Sequence, residues 1–279
     1  MSTYKISSAI TLNGHNNVIL SGLAVPSIML TNCTNITVEG CKIGSGSTVG
    51  IETYQCKDIK IINNLISGVT TGIYAINSQN IVVDGNQAKN IQGPYPRGQF
   101  VQFNGVSGLS QITNNKVENI LGQSGSEDVI NVYKSHGSAN NPIMVSGNTI
   151  RGGGPANSGG GIMLGDNGGS YITATNNVLV DPGQYGMAIA GGIHMTITNN
   201  KIYGKQQSFT NVGLYYWNQS GLMSSAITMS GNHVNFTNKS GALNNFWIGG
   251  GDAKPNGWTT NIADSTLNES LLATPLVSF

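Results

Sequence analysis

The sequence predicts an all-β fold: a single-stranded, right-handed parallel β-helix, or β-solenoid, of about nine coils with three strands each. Three observations support this prediction. A short strand motif ending in asparagine recurs along the chain, a second strand motif opening with a small residue accompanies it, and the composition is poor in charge and rich in glycine. We therefore treat residues 1–279 as one β-helix domain.

The first motif is an alternating apolar strand that ends in Gly-Asn or Asn-Asn. Its last asparagine recurs as Asn64, Asn86, Asn115, Asn148, Asn177, Asn200 and Asn232. Successive gaps are 22, 29, 33, 29, 23 and 32 residues, as expected for a basic coil with added loops. Stacked asparagine side chains can hydrogen-bond to one another and to turn backbone. We therefore predict that this column is a structural ladder.

The second motif, as in Gly72–Ile76, predicts a column of inward side chains and two outward columns, because strand residues alternate between faces. The predicted inward column is Ile51, Ile73, Val101, Ile130, Ile162, Met187 and Leu214. One outward column is Glu52, Tyr74, Gln102, Asn131, Met163, Ala188, Tyr215 and Trp247. The next is Tyr54, Ile76, Asn104, Tyr133, Gly165, Ala190 and Trp217, and beyond it Lys134 and Asp166 fall one coil apart.

Composition narrows the range of functions. Charged residues make up 9% of the chain, against roughly 25% in a typical soluble domain. The formal net charge is +1 without a basic stripe, which argues against a nucleic-acid partner. The sequence has no run of 18 apolar residues, so we expect no membrane span. Its start has no apolar leader core, so either the protein acts where it is made or a leader has been removed. The three cysteines, Cys33, Cys41 and Cys56, are expected to be free thiols.

The asparagine column, the strands opening with Gly-Ile, and the stretches Asp128–Lys134 and Gly159–Asp166 together resemble the pectate-lyase-like β-helix superfamily. That superfamily contains polysaccharide lyases, mannuronan epimerases, glycoside hydrolases and phage tailspikes. The resemblance implies a polysaccharide or oligosaccharide partner and an extracellular or cell-surface location. The sequence lacks the epimerases' Tyr-Gly-x-Asp-Pro-His signature and the hydrolases' clustered aspartates, so neither catalytic set can be transferred to it.

Extra residues lengthen several coils at 87–99, 118–127, 135–141, 151–159 and 204–211. We expect these insertions to form the walls of a groove over the Gly-Ile strands, since functional residues concentrate on such loops. Aromatic rings suit the C–H faces of sugars and amides suit their hydroxyls. The candidate substrate-binding residues are Glu52, Tyr54, Tyr74, Tyr95, Gln102, Asn104, Asn131, Tyr133, Tyr215 and Trp217. The alternative is an ordinary solvated sheet face.

Candidate catalytic residues are Lys134, Arg97, His136, Asp128 and Asp166. In β-elimination or epimerisation of a uronate polymer, Lys134, His136 or Tyr133 would be the base and Arg97 would neutralise the enolate. In a glycoside hydrolase, Asp128 and Asp166 would be the carboxylate pair. The third hypothesis is a non-catalytic glycan-binding module, adhesin or fibre protein.

Each of these residues also has a structural interpretation. Lys134 and Asp166 could form a stacked ion pair, and Asp128 could cap the turn before its strand. Arg97 could anchor its proline-rich loop, and His136 could be a solvated loop residue. We expect no cofactor and no metal cluster, although a few carboxylates could recruit calcium. The sequence does not specify the oligomeric state.

Overall fold

Strands of alternating apolar and polar residues wind around three faces of a solenoid. The computed structural model describes residues 4–44, 49–94, 96–155 and 157–279. Within these ranges the ladders between strands are parallel, and the helical elements are two 3₁₀ turns, Trp258–Thr260 and Glu269–Leu271. The predicted fold class is confirmed. In the same part of the chain, no helix is long and apolar enough to cross a membrane.

The three faces follow one another along each coil. The first face is formed by Ile10–Asn13, Ile28–Thr31, Val49–Tyr54, Thr71–Ile76, Val101–Asn104, Ile130–His136, the start of Ile162–Thr175, Tyr185–Ile189, Val212–Tyr216 and Phe246–Ile248. The second face is formed by Asn16–Ser21, Thr34–Glu39, Lys57–Ile62, Gln79–Asp84, Gln111–Thr113, Ile143–Ser146, the end of Ile162–Thr175, Ile193–Thr198 and Thr228–Ser230. The third face is formed by Lys5–Ile6, Leu23–Val25, Lys42–Gly44, Leu65–Ser67, Gln87–Lys89, Lys116–Glu118, Thr149–Arg151, Val178–Val180, Lys201–Gly204, His233–Phe236 and Ile262–Ala263.

The core is the inside of the solenoid, where inward side chains of successive coils stack. The inward column of the first face has the predicted register, in which Ile51 pairs with Ile73 and Ile130 with Ile162. The predicted inward residues are fully buried, as are inward residues of the second face such as Ile59 and Ile81. Burial of this apolar surface is the main favourable contribution to folding, at roughly 25 cal/mol per Å².

The predicted asparagine ladder is confirmed at the corner between the second and third faces. Asn64, Asn86, Asn115, Asn148, Asn177, Asn200 and Asn232 are all fully buried. The Nδ2 of Asn148 donates to Asn177 Oδ1 at 2.9 Å and to the Ile112 carbonyl at 2.9 Å. Its Oδ1 accepts from the backbone N–H of Asn115 at 3.1 Å and from Asn115 Nδ2 at 2.9 Å. Each asparagine therefore fixes the register of two neighbouring coils.

The cysteines are buried free thiols, as expected. Cys33 and Cys56 stack on adjacent coils at the corner between the first and second faces, where the Cys33 N–H donates to Cys56 Sγ at 3.4 Å. The Ser78 hydroxyl occupies the same position in the next coil and accepts from the Cys56 N–H at 3.0 Å. These thiols contribute to packing and to turn hydrogen bonds.

One part of the predicted register is wrong. The register predicted from the sequence paired Tyr133 with Gly165 and Lys134 with Asp166 on adjacent coils, but in the structure Tyr133 pairs with Asp166. The register shifts on both sides of Tyr133, and Lys134 has a left-handed backbone with φ of 47°. A β-bulge of this kind inserts a residue into one strand and changes the direction of its side chains.

Gly165 makes this bulge possible. Its φ is 66°, and a Cβ atom at this position would lie 2.1 Å from the Gly191 carbonyl oxygen. Only glycine fits both the backbone conformation and the space. As a result, the expected ion pair between Lys134 and Asp166 is not among the salt bridges of the described residues, and the Lys134 Nζ lies 5.1 Å from the centre of the Tyr133 ring.

The loops that lengthen the coils begin slightly later than the sequence indicated. Strands Gln87–Lys89, Lys116–Glu118, Thr149–Arg151 and Lys201–Gly204 continue the third face into the predicted insertions, and Ile130–His136 continues the first. The corresponding loops are 90–100, 119–129, 152–161, 205–211 and 137–142. The described residues of three of them, 90–100, 119–129 and 152–161, lie side by side next to the central strands of the first face, joined by backbone hydrogen bonds such as Gly125 N–H to the Ile91 carbonyl and Val129 N–H to the Gly160 carbonyl.

The ladder yields a stability prediction. Replacing Asn148 by Ala removes the buried oxygen that accepts from the backbone N–H and the side-chain amide of Asn115, so the free energy of unfolding should fall by about 1–3 kcal/mol. The change can be measured by urea unfolding. Asn140→Ala, an exposed site in the loop of the same coil, is the matched control and should change stability little. Equal stability of the two variants would contradict a structural role for the ladder.

Candidate functional site

A cleft of about 490 Å³ opens on the first face above the central coils. Its floor is made by outward side chains of the strands, including Gln102, Asn131 and Met163, which occupy the predicted register column. Its walls come from Arg97 and Gln99 of loop 90–100 and from the following two loops. The insertion predicted at 204–211 contributes no residue to this cleft within the described part of the chain.

Two carboxylates of the cleft share one amide group. The Asn131 Nδ2 donates to Asp128 Oδ2 at 2.8 Å and to Asp166 Oδ2 at 3.0 Å. Asp128 comes from the loop before strand Ile130–His136, whereas Asp166 comes from the following coil. The bulge brings Asp166 into this position, because it pairs Asp166 with Tyr133 on the same outward-facing surface. The residues predicted as a carboxylate pair therefore lie together.

Asp128 is buried and fully hydrogen-bonded. It is 4% exposed, and its Oδ1 accepts from the Tyr185 hydroxyl and from the Gly160 N–H at 3.0 Å. These donors belong to later coils, so the carboxylate does not act as the predicted cap of its own turn. Burial, together with the neighbouring negative charge of Glu127, raises the pKa of Asp128 to about 8. A proton thus stays on this carboxyl group at neutral pH.

Glu127 is the third acidic group of the cleft, and the sequence assigned it no catalytic or binding role. It is 7% exposed, and its carboxylate accepts from the Ser158 hydroxyl at 2.8 Å and from the Gln99 amide at 3.4 Å. Within the described residues, the Gln99 Oε1 and Asn131 Oδ1 atoms are buried without a hydrogen-bond partner. Both residues line the cleft, so two acceptors there can receive hydroxyl groups of a ligand.

Arg97 is the cation of the cleft wall. Its guanidinium lies 4.3 Å from the centre of the Tyr74 ring, donates to Gln102 Oε1 at 3.0 Å and donates to the Tyr74 hydroxyl at 3.2 Å. Asn104 donates to the same hydroxyl at 2.8 Å. These contacts hold four of the predicted residues in one network. Arg97 therefore anchors its loop to the strand face and still lines the cleft.

An aromatic group continues the same face toward the C-terminal coils. Tyr185, Tyr215 and Trp247 are in edge contact, with ring centres 5.2 Å and 6.0 Å apart, and Trp217 meets Trp247 at 5.8 Å. Tyr185 and Tyr215 are buried, whereas Trp217 and Trp247 are 44% and 43% exposed. The two tryptophans form an exposed aromatic surface beyond the carboxylates.

Lys134 and His136 lie outside the cleft, in a neighbouring pocket of about 610 Å³. Asn104 lines both spaces, and the Asn167 amide donates to the Tyr133 hydroxyl at 2.9 Å on the boundary between them. His136 contacts the Ser170 hydroxyl through Nδ1 at 3.2 Å. The expectation that Lys134 and Arg97 line a single site is wrong, because the bulge moves Lys134 into the second pocket.

The remaining predicted residues extend the face toward the N-terminal coils. Glu52 pairs with Tyr74 and Tyr54 pairs with Ile76, but neither Glu52 nor Tyr54 lines the cleft. Tyr95 lies outside the described residues. Within those residues, no group of three or more His, Cys, Asp and Glu side chains is arranged to hold a metal ion.

Sequence reasoning missed Gln99 and Tyr185 as members of the site, and it gave Glu127 a place on the insertions but no catalytic or binding role. The pair Glu127-Asp128 stands directly before a first-face strand in a chain with few acids, which was a usable signal for Glu127. No signal existed for Tyr185, because its contact with Asp128 spans 57 residues and depends on the stacking of coils.

The raised pKa of Asp128 yields a pH prediction. An unfolded Asp loses its proton near pH 4, whereas folded Asp128 retains it to about pH 8. Unfolding therefore releases a proton between these values, and the free energy of unfolding should fall as pH rises.

Asp128→Asn lacks the titrating group and should lack this decline. Relative to this variant, the natural protein should lose on the order of 1 kcal/mol per pH unit between about pH 5 and 7. Urea unfolding of both proteins across that interval measures the difference. If the free energy of unfolding changed with pH in the same way for both proteins, the raised pKa of Asp128 would be contradicted.

Comparison with known proteins supports the fold. The family model described as "Right handed beta helix region" matches residues 5–135. The comparison with curated proteins gave no match.

Two solved structures match part of this chain, and both are catalytic domains of GH87 alpha-1,3-glucanase variants. One, in complex with tetrasaccharides, is 13% identical with a TM-score of 0.41, and the match covers 91% of this chain and 64% of that chain. The other, in complex with nigerose, is 12% identical with a TM-score of 0.40, covering 91% and 63%. The chain thus spans less than two thirds of either structure. The described residues form a parallel β-helix, and the family model for a right-handed β-helix, which matches residues 5–135, agrees with the fold predicted from the resemblance.

Proposed function

We propose that the protein is a glycoside hydrolase that acts on a largely neutral polysaccharide, with Asp128 and Asp166 as its carboxylate pair. One observation carries the proposal: the Asn131 amide bridges the two carboxylates in an open cleft, at 2.8 Å and 3.0 Å. Glycoside hydrolysis requires two carboxyl groups in different protonation states on either side of the scissile bond.

The environments of the two carboxyl groups support distinct roles. Asp128 is buried, its pKa is raised to about 8, and it holds the proton that a general acid must deliver. In the proposed reaction this proton passes to the glycosidic oxygen as the bond to the anomeric carbon breaks. Asp166 is only half-buried and faces the cleft. As a nucleophile it would form an ester with the anomeric carbon, and Asp128 would regain its proton from the water that cleaves this ester. As a base it would take the proton from water while the water oxygen attacks that carbon, and exchange with solvent would then return Asp166 to the carboxylate and Asp128 to the acid.

The rest of the cleft supports binding of a polysaccharide. Gln99 and Asn131 offer buried acceptor oxygens, and Arg97, Gln102 and Asn104 offer donors to sugar hydroxyls. Trp217 and Trp247 stand further along the solenoid axis, where their exposed rings would stack on more distant sugar residues. A long chain could therefore lie along the face with its scissile bond over the acids.

The uronate lyase or epimerase hypothesis has less support. Among the described residues that line the cleft, the carboxylates of Glu127 and Asp166 face the one cation Arg97, and they would repel a carboxylate at the reacting sugar. The proposed bases Lys134 and His136 line the neighbouring pocket. Recruitment of calcium by these acids and the extracellular or cell-surface location implied by the resemblance remain predictions.

The proposal predicts that two variants lose activity without losing the fold. Reducing-sugar release should be measured on a panel of neutral polysaccharides that includes α-1,3-glucan. Asp128→Asn and Asp166→Asn should each lower kcat by roughly 10²–10⁴-fold, the usual contribution of an acid or base. Glu39→Gln, a carboxyl-to-amide change on the second face, is the matched control and should keep full activity.

Binding assays on the same proteins separate hydrolysis from simple recognition. If the natural protein binds a polymer of the panel but releases no sugar, the non-catalytic glycan-binding module is correct and the hydrolase proposal fails. Unsaturated products that absorb in the ultraviolet would instead favour a lyase.

A second prediction concerns the aromatic surface. Trp217→Ala should raise KM for long oligosaccharides by about fivefold and leave turnover of the shortest cleaved substrate unchanged, because a stacking contact contributes roughly 1 kcal/mol. Phe279→Ala, an exposed aromatic residue at the chain end, serves as the control. An equal effect of Trp217→Ala on short and long substrates would place Trp217 outside the binding path.

A further inference from the structure

We propose that the pocket of Lys134 and His136 binds an acidic substituent, a carboxylate or a sulfate, on the glycan whose backbone occupies the cleft. The inference rests on the proposed function for the identity of the ligand as a glycan. It also explains why cationic and carboxylate side chains occupy separate but adjoining spaces on one face. The preferred substrate would be a mixed polymer, with a neutral sugar at the scissile bond and an acidic group nearby.

The pocket has the composition of an anion site. Lys134 and His136 line it together with the amide side chains of Asn77 and Asn167, and no Asp or Glu is among its described lining residues. Lys134 forms no salt bridge within the described part of the chain. Its ammonium group lies over the Tyr133 ring in a cation–π contact. A lysine ammonium and amide N–H groups are suitable donors to a carboxylate or sulfate.

The bulge gives the site a structural cause. A regular strand would have placed Lys134 in the same column as Asp166, where the two charges would neutralise each other. Instead, Lys134 takes a left-handed backbone and Asp166 pairs with Tyr133, so the two charges face different spaces. Bulges are over-represented next to functional sites, where they redirect a side chain.

The two spaces are close enough for one ligand. Asn104 lines both, and the Tyr133 ring with its Asn167 hydrogen bond of 2.9 Å forms the partition. Strands on one face are roughly 4.8 Å apart, which is about the length of one sugar residue. Leu222 and Met223, which are 49% and 76% exposed, provide an apolar wall on the far side of the pocket. A sugar ring could pack against this wall while its acidic group meets Lys134.

The first test measures binding of small probes to the whole chain. Methyl glucuronide and methyl glucoside differ in one acidic group, and glucose 6-sulfate tests the sulfate alternative. NMR of the histidine side chains should show a shift at His136 with an acidic probe and none with the glucoside. Lys134→Ala should raise the Kd of that probe by about three- to tenfold, as expected for a partly exposed charge contact. Higher salt should weaken the same binding.

Lys60→Ala, an exposed lysine on the second face, is the matched control and should leave the Kd unchanged. His136→Gln retains a donor and should weaken binding less than His136→Ala. Equal binding of the acidic probes and the glucoside, or an equal effect of Lys134→Ala and Lys60→Ala, would overturn the inference.

A separate readout distinguishes failure of this inference from failure of the hydrolase proposal. If Asp128→Asn abolishes hydrolysis but no acidic probe binds at His136, the hydrolase stands and the acidic pocket is refuted. If acidic probes bind in a Lys134-dependent way while no polymer is hydrolysed, the pocket stands and the hydrolase is refuted.

Discussion

The stacking register of the coils is the constraint on which the rest of the structure depends, and the asparagine ladder fixes it. Each ladder asparagine donates to the next coil and to the strand of the preceding one, with its polar atoms paired inside the protein. A slip of one residue would leave these groups unpaired and would move apolar side chains to the surface. The register in turn places Gln102, Asn131 and Met163 side by side on the first face.

The site arises where this regularity is interrupted. Opposite Tyr133, strand Ile162–Thr175 gains a residue relative to strand Ile130–His136, and Asp166 lies next to the Asn131 amide. Glycine is required at position 165, because the side chain of any other residue there would collide with the adjacent backbone. The surrounding ladder and core hold the irregular strand in place. Local irregularity on a rigid scaffold is a common way to build functional sites.

Different degrees of burial then distinguish Asp128 from Asp166, although both side chains are aspartates. Asp128 lies beneath loop 152–161 and against Tyr185. Burial and the nearby Asp128 raise the pKa of Tyr185, so its phenol keeps its proton and donates the hydrogen bond to Asp128. Asp166 lies closer to solvent. Two carboxyl groups joined by one amide therefore experience different surroundings, and the difference arises from packing between coils rather than from residue type.

The sequence by itself determined the β-helix, the asparagine ladder, the inward column and most of the outward column. These features repeat once per coil, so their sequence pattern occurs many times along the chain. Local periodicity is therefore enough to recognise them. The sequence also indicated Asp128 and Asp166 as a carboxylate pair, in the hydrolase hypothesis that stood beside the lyase and binding-module hypotheses. Only the tertiary structure decided that Lys134 and Asp166 face different spaces, that Gln99 lines the cleft, and that Tyr185 packs against Asp128. Those outcomes depend on a single bulge and on contacts between distant coils, and a feature that occurs once leaves no periodic pattern to read.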